Sequence, residues 1–410
     1  MNDFMRVDSD WSVVPSPGEL LRRMEVPGSG GTASQGVESP PAPTGVSDAK
    51  GRLEQATALL KRLAETDGEV DEADVDRMIH DAEEALRKLD SEGQGAALTS
   101  AEAFATEAVI EADGSRPVLF VQDGTIDLSS PDLTSERGAH WREPAARLIS
   151  GINQVALSVG AVQLPAFLGE DGSPRRVGTG FVIGEGLVLT NRHVLEAIAT
   201  ASPGGWAWKF DVEIDFVGEY QRDGKRIHKP ARVLKTGSAA INRMINFNNP
   251  DYAILELEAA PDLPKPLAIA PDPAASLVGA GQPQIYVMGF PAQPFTDAGA
   301  PDAEPPRPGH EYAEILEKLF RNRFGSKRWA PGMIEAGPGQ LAGDPRKWVM
   351  SHDASTLGGN SGSCVVEFQN SGATVLGLHF GGMARKENWA HVLAALREDF
   401  ADVPGITWQA

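Results

Sequence analysis

From about residue 151 to residue 400 the chain is a succession of short β-type runs separated by Gly, Pro, Asn and Asp, with no helices regularly placed between them. The runs fall at 180–183, 187–189, 212–217, 252–257, 285–288, 348–351, 364–368 and 375–379. Parallel strands need a crossover of roughly a dozen residues, usually a helix, so this spacing argues for an all-β antiparallel barrel or sandwich over a parallel α/β sheet. Two segments break the pattern. Residues 312–324, apolar at Ile315, Leu316, Leu319 and Phe320, predict an inserted surface helix, and residues 389–400 predict a closing helix.

The first 150 residues read differently. Residues 1–50 carry one short apolar stretch around Leu20 and Leu21, then a Gly/Pro/Ser-rich segment over 27–47 with too little apolar surface to offset its ordering entropy. A disordered tail or linker is expected there. Over 51–100, Leu53, Ala56, Leu60 and Leu63, then Val75, Ile79, Ala82, Leu86 and Leu89, recur at helical spacing and predict a helical hairpin with its apolar faces together. That stretch holds 13 acidic and 6 basic side chains, so its outer faces are negative. A calcium loop at 67–76 is excluded, because placing Gly68 at the sixth loop position puts Leu63 where the first carboxylate belongs. Residues 101–150 form a small adaptor or connecting segment. Within it, 117–121 and 125–128 read as two strands around Asp123-Gly124, a hairpin signal, followed by a helical stretch at 141–150. Residues 401–410 are expected to form a C-terminal tail.

Charge and cysteine content narrow the function classes. Lysine plus arginine total 37 against 57 aspartate plus glutamate, a net charge of −20 that repels phosphate backbones and argues against nucleic acid as a partner. The single cysteine, Cys364, excludes an intrachain disulfide and any Cys-rich zinc site. No apolar run approaches the roughly 18 residues that span a bilayer, and the start, MNDFMRVDSD, lacks a signal-peptide profile. A cytoplasmic protein without a membrane partner is expected.

Chemistry concentrates in three places. Leu357-Gly358-Gly359-Asn360-Ser361-Gly362-Ser363 precedes an apolar run that begins at Cys364. Three glycines around one serine permit a tight turn whose amides converge on a point while the serine projects outward. Stabilising an acyl-transfer oxyanion requires that arrangement, with Gly359 and Ser361 as candidate donors. A serine hydroxyl also needs a base at neutral pH. His193, in Thr190-Asn191-Arg192-His193-Val194, stands where an apolar run ends in polar residues. A histidine base in turn works best beside a buried carboxylate. Asp251, in Asn249-Pro250-Asp251-Tyr252-Ala253, directly precedes an apolar strand, whereas Asp211, Asp215 and Asp223 have weaker local context. Taken singly, each also fits a plain role: a Gly/Ser loop, a hydrogen-bonded histidine, a turn cap.

As a set, Gly178-Thr179-Gly180-Phe181-Val182, Thr190-Asn191-Arg192-His193-Val194, Asp251-Tyr252-Ala253-Ile254-Leu255 and Gly359-Asn360-Ser361-Gly362-Ser363 resemble the trypsin-like (chymotrypsin-fold) serine peptidases. The likeness covers about 151–400 and includes the chain order histidine, aspartate, serine. It implies an all-β peptidase domain of two six-stranded antiparallel β-barrels, preceded here by a small, mainly helical N-terminal region. It also implies a serine endopeptidase that hydrolyses protein or peptide substrates through an acyl-enzyme. Ser361 would be the nucleophile, His193 the base, Asp251 its orienting acid, and the Gly359 and Ser361 amides the oxyanion hole; no metal or organic cofactor is required.

Within the family, Asp353-Ala354-Ser355-Thr356 leading into the serine turn, and Gly377-Leu378-His379-Phe380-Gly381-Gly382, are similar to the bacterial glutamyl endopeptidase branch. By that likeness the specificity pocket comprises Ser355, Thr356, His379, Phe380 and Gly381. Thr356 and His379 would hold an acidic or small polar P1 side chain, and the strand around 380–382 would pair with the peptide backbone. One position departs from the digestive members, where an aspartate before the nucleophile pairs with a newly cut N-terminal amine; here it is Asn360. Regulation is therefore expected from the preceding 150 residues, including a regulatory protein bound there. A basic cluster of Arg321, Arg323, Lys327 and Arg328 near the cleft is a second candidate.

Two alternatives compete. An α/β-hydrolase needs Gly-x-Ser-x-Gly and the order serine, acid, histidine, but Ser363 replaces the last glycine and no aspartate separates Ser361 from His379. A catalytically inactive peptidase-fold binding module is the other, and the presence of all three catalytic residue types speaks against it.

Overall fold

The computed structural model describes residues 16–24, 46, 48–66, 71–112, 115–135, 137–164, 174–222, 224–240, 247–273, 283–291, 325–356, 360–383 and 387–410. The helix expected over 312–324, with Arg321 and Arg323, lies outside the described residues, as do Gly359 and Asp223.

The N-terminal part is a cluster of helices α1 (Pro17–Arg23), α2 (Ala49–Thr66), α3 (Glu72–Glu92) and α4 (Ser100–Ala112). Of the apolar stripes read in the sequence for α2 and α3, Ala56, Leu60, Val75, Ala82, Leu86 and Leu89 are buried, whereas Leu53 and Ile79 are half-buried and Met78 takes a core position beside them. Asp71 caps α3 by accepting the Ala73 amide at 2.9 Å. Helix α1 falls in the region expected to be a disordered tail, and it buries Leu20 and Leu21 against the same core. Helix α4 carries no amphipathic stripe because small and apolar residues, among them Ala103, Phe104, Ala105, Ala108 and Val109, are buried around most of its circumference.

After α4 the chain makes the hairpin β1 (Leu119–Gln122) and β2 (Thr125–Ile126). Asp123 and Gly124 have φ of 51° and 74° at its turn, the left-handed pair that a two-residue hairpin loop demands. Short α5 (Pro131–Thr134) and long α6 (Ala139–Ser158) follow. Helix α6 inserts Trp141, Leu148, Ile152 and Val155 into the same apolar cluster as Phe181, Leu189, Tyr286, Trp329 and Phe368 of the sheets. Residues 139–158 thus pack as part of the β region.

The remaining elements are β3 (Val159–Leu164), β4 (Arg175–Gly184), β5 (Leu187–Thr190), α7 (Arg192–Ile198), β6 (Ala199–Ser202), β7 (Gly205–Trp208), β8 (Glu213–Asp215), β9 (Ile227–His228), β10 (Pro230–Thr236), β11 (Ala253–Leu257), β12 (Gln284–Gly289), β13 (Arg328–Ala336), β14 (Val349–His352), β15 (Cys364–Glu367), β16 (Val375–Met383) and β17 (Glu387–Val392). All ladders among the described residues are antiparallel. The second half runs β12-β15-β16-β17-β14-β13, and a β12–β13 ladder closes it into a six-stranded barrel, with β1 and β2 added beside β13. The first half runs β10-β11-β5-β4-β3-β8-β9 and does not close.

This corrects the expectation of two closed barrels. The two edge strands of the first half, β9 and β10, are consecutive in the chain with only Lys229 between them. The sheet is therefore a curled half-barrel whose edges meet through the backbone, and Pro230 at the junction has no N–H for a ladder bond. A second correction concerns 389–400: Trp389 to Val392 belong to β17, paired with β14 on one side and β16 on the other, and only a 3₁₀ turn, Leu393–Leu396, follows. Ala390 and Val392 enter one apolar cluster and Trp389 another, the alternation of a strand buried on both faces. The last residues bond back to the sheets, with the Thr407 amide donating to the Ile183 carbonyl at 2.7 Å. Among the described residues no helix is long and apolar enough to cross a membrane.

Candidate active site

The two halves meet at β4 and the serine turn. The Ser363 amide donates to the Asn360 carbonyl at 2.9 Å, and Gly362, with φ of 88°, occupies the position of that turn which requires a left-handed residue. A Cβ on Gly362 would lie 1.9 Å from the Thr179 carbonyl oxygen, so glycine is needed sterically as well. The turn is bonded to both halves: the Thr179 amide donates to the Ser361 carbonyl at 2.8 Å, and the Gly362 amide to the His379 carbonyl at 2.9 Å. Ser361 thereby sits at the corner of a turn clamped against β4, and is 4% exposed.

His193 reaches the same seam from the first half. Strand β5 ends at Thr190, whose hydroxyl donates to the Thr179 carbonyl at 2.7 Å, and α7 begins two residues later. A Cβ on Gly178 would meet both Val194 Cγ2 at 2.7 Å and the Ser361 carbonyl oxygen at 3.2 Å. The residue after His193 and the serine turn are thus held within van der Waals reach of one point, and only glycine allows the approach.

Asp251 enters from the loop before β11 and is 3% exposed. Its Oδ2 lies 2.5 Å from His193 Nδ1, and its Oδ1 accepts the His193 amide at 3.0 Å. Asn191 Nδ2 donates to the Asp251 carbonyl at 2.9 Å. Burial opposes ionisation of the carboxyl, yet the His193 charge and the hydrogen bonds from its ring and amide hold Asp251 below the ordinary carboxylate range. The bond to Asp251 fixes the proton of a neutral His193 on Nδ1 and leaves Nε2 as the basic atom. The rival acids are engaged elsewhere: Asp211 pairs with Lys229, and Asp215 accepts the Val217 and Arg226 amides.

A family model described as a trypsin-like peptidase domain matches residues 178–378, the stretch that holds these three side chains. A probable serine protease of Lysobacter enzymogenes is 34% identical over 320 residues, covering 73% of this chain and 75% of that protein. The chain belongs to the trypsin-like serine peptidases. Solved structures with a distant likeness to this peptidase include the Rv3671c protease of M. tuberculosis. Its active form is 20% identical, covers 65% of this chain and 89% of its own, and has a TM-score of 0.37; its inactive form is 19% identical, covers 64% and 93%, and has a TM-score of 0.32.

The residues expected to line the peptidase's specificity pocket are placed unevenly. Ser355 donates to the Arg116 carbonyl at 3.3 Å, and Thr356 donates to Asn388 Oδ1, whose Nδ2 donates to the Ala354 carbonyl at 3.0 Å. His379 is buried, with Nδ1 3.4 Å from His352 Nε2, and burial pushes His352 down to about 3. Phe380 turns its ring into the core, stacked on His391 with centroids 4.2 Å apart, while Gly381 pairs with Trp389 beyond a bulge. The basic cluster expected near the cleft does not form at its described end. Lys327 is fully buried, with Nζ bonded to the Ala156 carbonyl at 2.5 Å and the Phe216 carbonyl at 2.8 Å, and Arg328 is 3% exposed over the Phe120 ring.

Sequence reasoning missed one member of the site. His391 Nε2 accepts the Asp251 amide at 2.8 Å, so a strand of the second half supports the acid carried by the first. Burial pushes His391 down to about 4 and keeps it neutral, as an acceptor must be. Its only sequence signal is a histidine within an apolar run, too weak to single out.

Proposed function

We propose that this trypsin-like serine peptidase cleaves proteins through an acyl-enzyme formed at Ser361, with His193 as general base and acid and Asp251 as its orienting carboxylate. The observation that carries the reading is the buried Asp251 carboxylate, which accepts both the ring and the amide of His193 beside the turn that presents Ser361. His193 Nε2 takes the Ser361 Oγ proton as the hydroxyl attacks the scissile carbonyl. Asp251 stabilises the imidazolium, which protonates the leaving amine, and water repeats the sequence on the ester. The Ser361 and Gly359 amides are proposed as the oxyanion donors. Ser355, Thr356 and His379 are proposed to select an acidic or small polar P1 residue, as in glutamyl endopeptidases, and the helical region α1–α4 is proposed to regulate the enzyme or bind a regulatory protein.

A peptide library digested by the wild type, by Ser361→Ala and by His193→Ala tests the reaction and the selectivity together. The expected result is cleavage after glutamate in the wild type and in neither variant. Ser361→Ala cleaving at the wild-type rate would sink the mechanism, and enrichment of basic or large apolar P1 residues would sink the pocket assignment. Regulation is tested by comparing the full chain with one that begins at Ser115, since a later start would remove Arg116 and Trp141 from the β region. Equal rates would reject it.

A further inference from the structure

The 353–356 segment leads from β14 toward the serine turn; besides the Asn388 bonds to Ala354 and Thr356 it is held from two sides, one of them upstream of both sheets. On one side the barrel holds it: Asp353 Oδ1 accepts the Met333 amide at 2.7 Å, and the Asp353 amide donates to the Met333 carbonyl at 3.2 Å. Ala354 packs on Gly332, where a Cβ would stand 2.5 Å from the Ala354 nitrogen. On the other side stands Arg116, 6% exposed, whose guanidinium Nη2 pairs with Asp353 Oδ2 and whose carbonyl accepts the Ser355 hydroxyl. Arg116 is itself fixed by α6. Its guanidinium lies 5.7 Å from the centroid of the buried Trp141 ring, and Trp141 Nε1 donates to the Ser115 carbonyl at 2.9 Å.

We propose that Arg116 is a positioning residue for the substrate pocket: from within the uncut chain it supplies the buried cation that holds the 353–356 wall in place. The proposal rests on the reading of Ser355 and Thr356 as pocket residues. A newly cut N-terminal amine has no carboxylate to meet at Asn360, whereas Asp353, seven residues earlier, has one and has a partner. The Asp353 side chain is only 10% exposed, so loss of Arg116 leaves a largely covered carboxylate without its cation and favours its turning toward water, and Ser355 moves with it. Because α4 ends at Ala112, only a few residues before Arg116, the helical cluster is connected to this anchor by a very short stretch of chain.

The test uses the full chain with Arg116→Gln, Arg116→Lys and Asp353→Asn. It measures kcat and KM on a peptide that the wild type cleaves, the rate of labelling by a small fluorophosphonate, and the melting temperature. Expected is a loss of about tenfold or more in kcat/KM for Arg116→Gln and Asp353→Asn, carried mainly by KM, with labelling within about threefold of wild type and substantial recovery in Arg116→Lys. Unchanged kcat/KM would overturn the proposal. So would labelling and kcat/KM falling in parallel with the melting temperature, the signature of a merely structural pair. If Arg116→Gln does not fold, the nearly isosteric Asp353→Asn decides by the same criteria. Wild-type cleavage insensitive to Ser361→Ala would instead overturn the active-site reading, and this proposal with it.

Discussion

The two halves of the β region solve the same problem differently. The second half closes its sheet by a ladder of six residue pairs between β12 and β13, and it carries the serine turn on a barrel without a free edge. The first half curls until its edges join through Lys229, and it carries His193 just after β5 and Asp251 just before β11. The half that is less completely closed relies on the other. The Asp251 amide bonds to His391 of β17, and Thr179 of β4 bonds to Ser361. The candidate site is held at the seam by a few cross-bonds, so substitutions at the seam should affect catalysis more than similar ones elsewhere.

The largest effect is expected at Asp251→Asn, which keeps the shape but removes the charge and changes the preferred ring tautomer; kcat on a peptide should fall on the order of 10⁴-fold. A drop of less than about tenfold would mean that the pair does not orient a base. Next come two glycine substitutions compared by melting temperature and kcat/KM. Gly362→Ala at the seam meets both a φ of 88° and the Thr179 carbonyl, whereas Gly186→Ala in the first half has a φ of 68° and meets only Leu263 Cδ1 at 3.6 Å. Gly186→Ala should cost about 1–2 kcal/mol with activity retained, and Gly362→Ala distinctly more with activity lost. Equal costs would contradict a special role for the seam.

A smaller effect is expected at His391→Phe, which leaves the buried Asp251 amide without an acceptor, at a cost of about 1–3 kcal/mol. His391→Gln, able to accept, should recover most of the stability and of kcat; no difference between the two would dismiss the cross-support. The smallest is a pH effect at Lys327, which burial pushes down to about 7 from the ordinary lysine value of 10.5. Below about 7 the ammonium is present in both the folded and the unfolded chain. Between about 7 and 10.5 only the unfolded chain keeps the proton, so raising the pH favours the folded state. The melting temperature of the wild type relative to Lys327→Met should therefore rise from pH 7 to pH 9, and parallel curves would contradict the assignment.

Much of the candidate site was legible in the sequence because its chemistry is local. Glycines around Ser361, the polar end of a strand at His193 and an acid before an apolar strand at Asp251 each leave a short signature. The hairpin turn at Asp123-Gly124 was legible for the same reason. What was not legible depends on contacts far apart in the chain. Sheet closure is decided by which edges meet, His391 acts across 140 residues and Arg116 across 237. Lys327 and Arg328 read as a surface patch because charge predicts exposure unless carbonyls and rings are waiting for it, and composition does not show those partners. Helix α4 escaped notice because a helix buried around most of its circumference has no polar face to set its period.

A residue from each half combining to make one hydroxyl reactive has a direct chemical signature, read by treating the full chain with a fluorophosphonate and mapping the adduct by mass spectrometry, alongside His193→Ala. A single adduct on Ser361, formed on the order of a thousandfold more slowly in His193→Ala, is the predicted result. Labelling of Ser361 at the same rate in both proteins, or a folded wild type with no adduct there, would contradict it.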